Sequence, residues 1–443
     1  MRHWLTKFVI SSAILLFSVG VIAGAVFLTL RFIKTPISNR LSTAVISESA
    51  EMITKKEKSV EELIIEARER SESVKGVYMT ATVANDPSKA ASRLRSEIVR
   101  LLETTELNGV VIDIKETDGV FLPESLRNFI EELHTKDVWV IARLVVFNDT
   151  VKAKQSLEMA LKRANGKLWL DQRGNAWLDP ASRGAWEYTA DIAKKAINYG
   201  FDEIQFDYIR FPSDGDVASI VYPVFNQKTT ARHEVLHGFF RYLESELKKY
   251  RPQIILSADL FGYVAIQKSD LGIGQRMEDI GDSFDYISFM VYPSHYYSGF
   301  QVSRDVERGL PALYYPYRSK SAVEVVSSHP YEVVYRSLLI ASDFLAGKDV
   351  LGTSTPVVAV IVGTSTPSDK EPPVVNTGIS PRSQAKLRPW LQDFNLKVDT
   401  TRGIYYDTEK VKAQIKAAED AGAMGWLLWN PGNTYTEAAL RKK

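Results

Sequence analysis

Short apolar runs and amphipathic stretches alternate along the chain from residue 75 onward. Residues 109–114 (GVVIDI) form a near-continuous apolar run, which is typical of a strand buried on both faces. Further strands are predicted at 76–81, 138–147, 204–209, 254–260, 286–292 and 424–429, and an eighth within 388–394. Helices are predicted at 88–107, 124–136, 185–199, 229–250 and 407–421. This alternation predicts an α/β fold, a closed (β/α)8 barrel of the TIM type rather than an open doubly wound sheet.

Carboxylates gather at the carboxyl ends of these predicted strands. In residues 200–212 (GFDEIQFDYIRFP) large apolar and polar groups alternate, Gly200 ends the preceding helix, and Asp207 and Arg210 follow the strand. The second strand leads into Asp113 and Glu116, and the fifth into Asp259. Catalytic residues collect at this end of (β/α)8 barrels. The alternative interpretation is a structural ion pair between Asp207 and Arg210.

Glycoside hydrolysis requires this kind of paired carboxyl group. Groups about 5 Å apart retain the anomeric configuration, and groups roughly 6.5–9.5 Å apart invert it. Neighbouring strands lie ~4.8 Å apart, so Asp207 and Asp259 are expected within that range. Aromatic rings near them would stack on sugar rings, and polar groups would bind hydroxyls. The candidate substrate-binding residues are Arg143, Trp177, Asp179, Tyr208, Arg210, Tyr292, His295, Trp390, Trp426, Trp429 and Asn430.

The N-terminal segment predicts a membrane anchor. Residues 8–30 are uncharged and almost entirely apolar, about the length that crosses a bilayer. Residues 23–25 (AGA) resemble a cleavage site, but the apolar run continues to Leu30. We therefore expect an uncleaved signal-anchor in residues 1–34, with the barrel outside the cytoplasm, at the cell surface or in the periplasm. A cleaved signal peptide, and hence secretion, is the alternative.

Composition shifts divide the rest of the chain. Residues 35–74 are rich in charged residues and serine, which predicts a partly helical stalk, and residues 75–443 carry the barrel pattern. Residues 346–381 contain two copies of GTSTP, at 352–356 and 363–367, with a Pro pair soon after. This low-complexity segment predicts an insertion in the barrel.

Charge and cysteine content narrow the possible functions. The 443 residues include 55 Lys or Arg and 54 Asp or Glu, for a net charge of +1, so nothing favours nucleic acid as a partner. The absence of cysteine excludes disulfides and thiolate catalysis. No cofactor or metal is expected; the expected partners are a polysaccharide or oligosaccharide substrate and the membrane.

One motif points to a different chemistry. His233-Glu234-Val-Leu-His237 places two histidines on one face of a helix, as in zinc hydrolases. No third histidine ligand follows the motif, because Phe240 and Glu244 occupy the positions where the extended zinc-binding pattern would continue. The helix also fits as the ordinary crossover after the fourth strand.

From residue 75 to residue 436 the chain resembles a bacterial family known as the putative glycosyl hydrolase domain. That resemblance implies a (β/α)8 barrel and a carbohydrate-active protein, and it brings no defined substrate. Residues 301–326 and the low-complexity segment depart from the family pattern. The matching strings are at 75–78, 105–108, 111–115, 141–143, 176–180, 200–212, 257–262, 290–295, 388–393 and 425–430.

Residues 202–209 also bear a distant resemblance to the strand-four signature of chitinases, Asp-Gly-x-Asp-x-Asp-x-Glu. Asp202 and Asp207 match the first and third acids, whereas Gln205 replaces the second and Ile209 the terminal Glu. Since isoleucine has no proton to donate, an acid must come from another strand. Asp259 is the first candidate and Glu116 the second, with Asp207 as nucleophile or base.

The function expected from the sequence is therefore hydrolysis of a cell-envelope or extracellular polysaccharide by two carboxylates. A glycan-binding barrel without catalysis is the alternative that the missing terminal Glu suggests. A zinc-dependent hydrolase that uses His233, Glu234 and His237 is the third possibility.

Overall fold

Eight parallel strands close into a barrel in the computed structural model, which describes residues 58–351 and 382–443. The strands are β1 (Lys75–Met79), β2 (Gly109–Glu116), β3 (Gly119–Val120), β4 (Trp139–Val145), β5 (Glu203–Asp207), β6 (Ile255–Phe261), β7 (Tyr286–Met290), β8 (Phe300–Val302), β9 (Leu313–Tyr315), β10 (Lys386–Leu387), β11 (Trp390–Gln392) and β12 (Trp426–Trp429). Strands β1, β2, β4, β5, β6, β7, β11 and β12 pair in that order, and β12 pairs back with β1. The predicted barrel is thus confirmed, and each of the eight predicted strands overlaps one barrel strand.

Helices connect successive barrel strands and cover the outside of the sheet. All five predicted helices are present, as α3, α4, α6, α7 and α11, and Gly200 ends α6 with a φ of 103°, as expected. The helices are α1 (Val60–Ser71), α2 (Ala81–Asn85), α3 (Lys89–Thr104), α4 (Glu124–Thr135), α5 (Thr150–Gln155), α6 (Arg183–Tyr199), α7 (Arg232–Tyr250), α8 (Met277–Ile280), α9 (Pro330–Leu345), α10 (Lys397–Thr400) and α11 (Thr408–Asp420).

Sequence patterns missed the connection between β7 and β11. The antiparallel hairpin β8–β9 lies there, followed by the crossover helix α9. Helix α9 buries ten of its 16 residues, including Arg336 and Ser337, so its apolar face is too broad to give a clear helical period.

The amino end of the barrel is closed by a buried ion pair. Arg388 donates to both carboxylate oxygens of Glu203, at 2.9 and 2.8 Å, and to the carbonyl oxygen of Ser71 at 2.8 Å. Ser71 is the last residue of α1, and its hydroxyl lies 3.0 Å from that of Tyr286. The last turn of α1 therefore contacts the amino end of the barrel.

Two predicted segments fall outside the described residues. The predicted membrane span at residues 8–30 is one of them; the residues that the structure does describe include no helix long and apolar enough to cross a bilayer. Most of the predicted insertion, residues 352–381, is the other. Its downstream flank continues from Arg382 to β10, which pairs with the first residues of β7 and so lies at the amino end of the barrel.

Candidate active site

A single guanidinium, that of Arg143 on β4, lies among carboxylates from three strands. Its Nη1 donates to Oδ1 of Asp113 at 2.6 Å, and its Nη2 donates to Oδ2 of Asp207. Its Nε lies 3.5 Å from Oδ2 of Asp259. Burial acts to lower the pKa of Arg143, but Asp113 and Asp207 raise it well above its usual value. The three predicted carboxylates therefore do meet at the carboxyl end of the barrel, around a cation.

Strand geometry explains why these side chains converge. Side chains alternate along a strand, so Gln205 and Asp207 on β5 point into the barrel, as do Ser257 and Asp259 on β6. Because Phe206 pairs with Ala258, Asp207 and Asp259 occupy the same level on adjacent strands. Below them the barrel interior holds the polar side chains of Gln205, Ser257 and Ser288 together with apolar residues, and the carboxylates form its uppermost layer.

Asp113 is held by two donors. The hydroxyl of Tyr78, at the carboxyl end of β1, donates to its Oδ2, while Arg143 binds its Oδ1. Burial raises the pKa of Asp113, and Arg143 and Tyr78 oppose that rise. Tyr78 was not among the predicted site residues, although its place two positions after Gly76 on an inward face of β1 could have indicated it.

Asp207 has the contacts that suit a charged carboxylate. Besides Arg143, the backbone N–H of Tyr208 donates to its Oδ1 at 2.6 Å. Tyr208 adopts a φ of +53°, a conformation that turns the chain away from the strand directly after Asp207. Asp207 is 6% exposed, so it forms part of the floor of the open barrel end.

Asp259 has a different environment. The indole N–H of Trp390 donates to its Oδ1 at 2.8 Å, whereas its Oδ2 is buried without a hydrogen-bond partner. Burial, followed by the charge of Asp207, raises the pKa of Asp259 well above its usual value. Two neighbouring carboxyl groups with such unequal surroundings are the arrangement that assigns one as acid and the other as base.

Glu116 lies at the end of β2, further toward solvent than Asp113. Burial and the charges of Asp113 and Asp118 raise the pKa of Glu116 to about 7, and Arg143 opposes the rise. The carboxyl group is half-buried, so it is more open to solvent than Asp113 or Asp259.

Aromatic rings surround the carboxylates. Trp429 lies against Tyr78 with ring centroids 3.8 Å apart, and the guanidinium of Arg143 lies 5.3 Å from the Trp429 ring. Buried Tyr292 contacts His295 at 5.2 Å, and His295 stacks on Tyr297 at 5.5 Å. Burial lowers the pKa of His295 to about 4, so the ring is neutral at physiological pH.

Arg210 does not pair with Asp207, so the alternative of a structural ion pair is wrong for the described structure. Its Nη1 donates to the carbonyl oxygen of Phe211 and to Oγ of Ser213, each at 3.1 Å. Its guanidinium lies about 5 Å from the rings of Tyr208 and Trp177. Burial lowers the pKa of Arg210, which stays close to the cluster without joining it.

Trp177 and Asp179 hold a loop together and do not line the cluster. Trp177 is buried and donates from Nε1 to Asp171 at 3.0 Å. Asp179 is fully buried, and its Oδ2 accepts from the backbone N–H groups of Val224 and Phe225. The structure therefore does not bring Trp177 and Asp179 into the carboxylate cluster, because their polar atoms bond within the loop.

The two other C-terminal candidates have different placements. Trp426 packs in the outer core between the barrel and its helices, because alternation along β12 points only Leu427 and Trp429 inward. Its assignment to the site is therefore wrong. Asn430 lines a cavity of about 350 Å³ above the barrel together with Asp393, Phe394 and Tyr435.

The His-Glu-x-x-His motif has structural contacts. Glu234 accepts from the backbone N–H of Ala231 at 2.7 Å and so caps its own helix, α7. His237 lies 3.1 Å from the carbonyl oxygen of Asp279, and His233 lies 3.5 Å from the Asp279 carboxylate. Within 58–351 and 382–443, no group of three His, Asp or Glu residues is placed to hold a metal ion. The geometry gives the motif a role in helix capping and packing.

The fold and the site define a (β/α)8 barrel with a buried carboxylate cluster at its carboxyl end. Residues 76–356 and 370–435 match the family described as the putative glycosyl hydrolase domain, and the chain belongs to that family. The resemblance read from the sequence is thereby confirmed. The interruption at 357–369 falls within the segment predicted as an insertion.

Three solved structures illustrate the similarity to known folds. A hypothetical protein from Ruminiclostridium thermocellum ATCC 27405 is 34% identical, with 44% of this chain and 98% of that protein covered and a TM-score of 0.36. The C-terminal domain of a putative chitinase from Desulfitobacterium hafniense DCB-2 is 10% identical, with 83% and 96% covered and a TM-score of 0.46. A maltogenic alpha-amylase, AmyB from Thermotoga neapolitana, is 13% identical, with half of each chain covered and a TM-score of 0.33. No curated protein matches the chain.

Proposed function

We propose that this glycoside hydrolase cleaves an extracytoplasmic polysaccharide by a two-carboxylate mechanism with Asp207 and Asp259 as the pair. The observation that carries the proposal is their contrasting environments at one level of the barrel. Asp207 accepts from Arg143 and a backbone N–H, whereas Asp259 is buried beside it with a raised pKa. Two neighbouring carboxyl groups with such unequal surroundings suit the separate roles of acid and of nucleophile or base.

Asp259 is the proposed proton donor. Its protonated form would carry the proton on Oδ2, because Oδ1 already accepts from Trp390. The proton passes to the glycosidic oxygen as the bond to the leaving sugar breaks. Asp207 then either attacks the anomeric carbon or activates a water molecule, and the configuration of the released sugar distinguishes these two routes.

Glu116 is the second candidate for the proton donor. Its pKa of about 7 matches the value that a general acid needs near neutral pH, and its half-buried side chain has ready exchange with solvent. Its strand, β2, lies on the opposite side of β4 from β5, so Asp207 and Glu116 are separated by one strand.

An aromatic series supports a polysaccharide substrate. It extends from buried Tyr292 through His295 and Tyr297 to Tyr317, with ring centroids 5.2 to 5.5 Å apart at each step. Tyr297 is 57% exposed, so the series runs from the barrel centre to the surface. Flat rings of this kind stack on the apolar faces of sugars and would hold units that lie away from the cleaved bond.

The predicted apolar span at residues 8–30 motivates the location. We propose that it anchors the protein and that the barrel acts outside the cytoplasm on a cell-surface or periplasmic glycan. Two measurements test this proposal. Alkaline extraction of membranes should leave the protein in the membrane fraction, and its release into the soluble fraction would contradict the anchor. Protease added to cells whose outer layer has been made permeable should digest the barrel, and complete protection would contradict its location outside the cytoplasm.

The test of function uses the full chain in detergent with a panel of bacterial envelope and biofilm polysaccharides. Released oligosaccharides are measured by mass spectrometry for the wild type and for Asp207→Asn, Asp259→Asn and Glu116→Gln. We expect Asp207→Asn to reduce release by at least about a thousandfold. Asp137→Asn is the matched control, because the side chain of Asp137 is 92% exposed and precedes β4 at the amino end of the barrel, the end opposite the cluster.

Each outcome assigns a role. If Asp259→Asn is as inactive as Asp207→Asn, Asp259 is the acid; if Glu116→Gln is the inactive variant instead, the acid is Glu116. Binding of a glycan without release by the wild type, and with Asp207→Asn binding equally well, would favour the glycan-binding barrel and overturn hydrolysis.

A further inference from the structure

A second cavity, of about 450 Å³, lies at the same end of the barrel beside the segment that follows β5. Its walls come from that segment, from the start of α7 and from the loop before α8. We call it the Arg232 pocket, since Arg232 is the charged member of the described residues that line it. The lining residues that bear on binding are Ser213, Tyr222, Phe225, Gln227, Arg232 and Ile273.

The guanidinium of Arg232 hydrogen-bonds to the hydroxyl of Tyr222 and has no carboxylate beside it among the described residues. Burial raises the pKa of Tyr222, and Arg232 opposes that rise. The Nε of Arg232 is buried without a hydrogen-bond partner, and no carboxylate of residues 58–351 or 382–443 lies within ion-pair distance of it. Its guanidinium lies 5.6 Å from the ring of Phe211 and 6.0 Å from that of Phe225. An unpaired buried donor of this kind costs free energy unless a ligand satisfies it.

Nearby carboxylates are engaged elsewhere. Asp279, on α8, accepts from Arg276 at 2.6 and 2.9 Å. Asp179, behind the loop that carries Tyr222, binds the backbone N–H groups of Val224 and Phe225. These two groups therefore do not pair with Arg232, which lines the cavity.

The pocket is connected to the carboxylate cluster through the chain after β5. Ser213, which lines the pocket, accepts a hydrogen bond of 3.1 Å from Arg210. Arg210 in turn lies 5.0 Å from the ring of Tyr208, the residue next to Asp207. The backbone N–H of Phe211 donates to the carbonyl oxygen of Ile273 at 2.9 Å, which links the segment after β5 to the loop before α8. The pocket and Asp207 are thus joined by one short segment of the chain.

We propose that the Arg232 pocket binds an anionic substituent, a carboxylate or a phosphate group, of the polysaccharide. The proposal rests on the proposed glycoside hydrolase function and makes the substrate an acidic glycan. The planar guanidinium binds either anion through paired N–H donors. The hydroxyls of Ser213 and Tyr222 and the amide of Gln227 add hydrogen-bonding groups. A neutral glycan leaves the charge of Arg232 without an anionic partner.

Three sugars that share one ring test the pocket: glucose, glucuronate and glucose 6-phosphate. Their binding to the full chain in detergent is measured by calorimetry and through the Arg Nε–H signals in nitrogen-15 spectra. We expect at least one anionic sugar to bind about tenfold or more tightly than glucose and to shift the Arg232 signal. Preference for glucuronate or for glucose 6-phosphate identifies a carboxylate or a phosphate as the natural group.

Matched variants locate the binding. Arg232→Gln is expected to abolish the preference for the anion, and Arg232→Lys to retain part of it. Arg241→Gln is the control, since Arg241 lies on the same helix with a side chain that is 59% exposed. Equal affinity for all three sugars, or a preference that survives Arg232→Gln, would overturn the proposal.

Asp207→Asn separates this proposal from the proposed hydrolysis. If the anion preference persists in Asp207→Asn and is lost in Arg232→Gln, the pocket is established even where no glycan is cleaved. If Asp207→Asn removes the preference and Arg232→Gln does not, the anion binds at Arg143 and the pocket is refuted. Cleavage of neutral glycans with no effect of Arg232→Gln on any acidic one would uphold hydrolysis and reject the pocket.

Discussion

The indole N–H of Trp390 donates a 2.8 Å hydrogen bond to Oδ1 of Asp259 and so joins β11 to β6 across the top of the barrel. The bond favours the charged form of the Asp259 carboxyl group and therefore opposes the rise in pKa that burial causes. It also leaves Oδ2 as the oxygen that can carry a proton. Trp390 is in this way a positioning residue for the proposed acid.

Replacing Trp390 by Phe is expected to raise the pKa of Asp259 further. A hydrogen bond of about 1 kcal/mol corresponds to ~0.7 pKa unit. Since the protonated form is the proposed donor, the alkaline limb of the pH–rate profile should move upward by about that amount. Trp426→Phe is the control, because the Trp426 indole N–H is buried with no hydrogen-bond partner and lies in the outer core. Equal profiles for Trp390→Phe and the wild type would remove Asp259 from the role of acid.

Arg143 offers a second prediction because it lowers the pKa values of both Asp113 and Asp259. Arg143→Gln should raise the pKa values of both carboxyl groups. A carboxyl group with a raised pKa contributes stability at low pH, and this contribution is lost as the pH rises through that pKa. We therefore expect a loss of about 3–5 kcal/mol in the free energy of unfolding at pH 8 and a smaller loss at pH 5. Urea denaturation at the two pH values measures the difference. Arg241→Gln should change stability by less than ~0.5 kcal/mol at both.

Much of this architecture could be predicted from the sequence, because strand burial and helical amphipathicity are local patterns. Asp113, Asp207 and Asp259 were predicted as site residues from their places at strand ends. Arg143 was also predicted as a site residue, but its contact with three carboxylates at once was not, since that depends on barrel closure bringing β2, β5 and β6 around β4. Contacts of that kind join residues about 30 to 116 positions apart, beyond the reach of any local pattern.

The errors among the site residues have equally physical causes. Trp426 and Trp429 look alike in sequence, but the two-residue period of β12 turns only Trp429 toward the cluster. Strict use of that period would have excluded Trp426. Asp179 accepts hydrogen bonds from the backbone N–H groups of residues 224 and 225. These residues lie in a loop, whose conformation cannot be predicted from a periodic sequence pattern.

Glu116 gives a prediction about stability and pH. The pKa of Glu116 is raised from 4.5 to about 7 in the folded protein. Its contribution to stability is therefore fully present below pH 4.5 and is lost as the pH rises through 7. Glu116→Gln mimics the neutral form, so it should match the wild type near pH 4 and be more stable at pH 8. After allowance for solvent screening, the expected gain is on the order of 1 kcal/mol.

Asp118 provides the internal check on that prediction. Its charge helps to raise the pKa of Glu116, so Asp118→Asn should move the midpoint of the stability change to lower pH. Thermal unfolding between pH 4 and pH 9 measures both variants. A Glu116→Gln protein whose stability follows that of the wild type at every pH would show that Glu116 titrates normally.

The last prediction concerns the opposite end of the barrel, where Arg388 and Glu203 form a buried pair about 13 Å from Asp207 along β5. Arg388→Met leaves Glu203 charged and uncompensated, and we expect it to cost about 3–5 kcal/mol of stability. Adding Glu203→Gln removes that charge and should restore a large part of the loss. Because neither residue touches the carboxylate cluster, folded protein of both variants should keep its activity to within about twofold. A folded double variant that loses activity as completely as Asp207→Asn would instead couple the amino end of the barrel to catalysis.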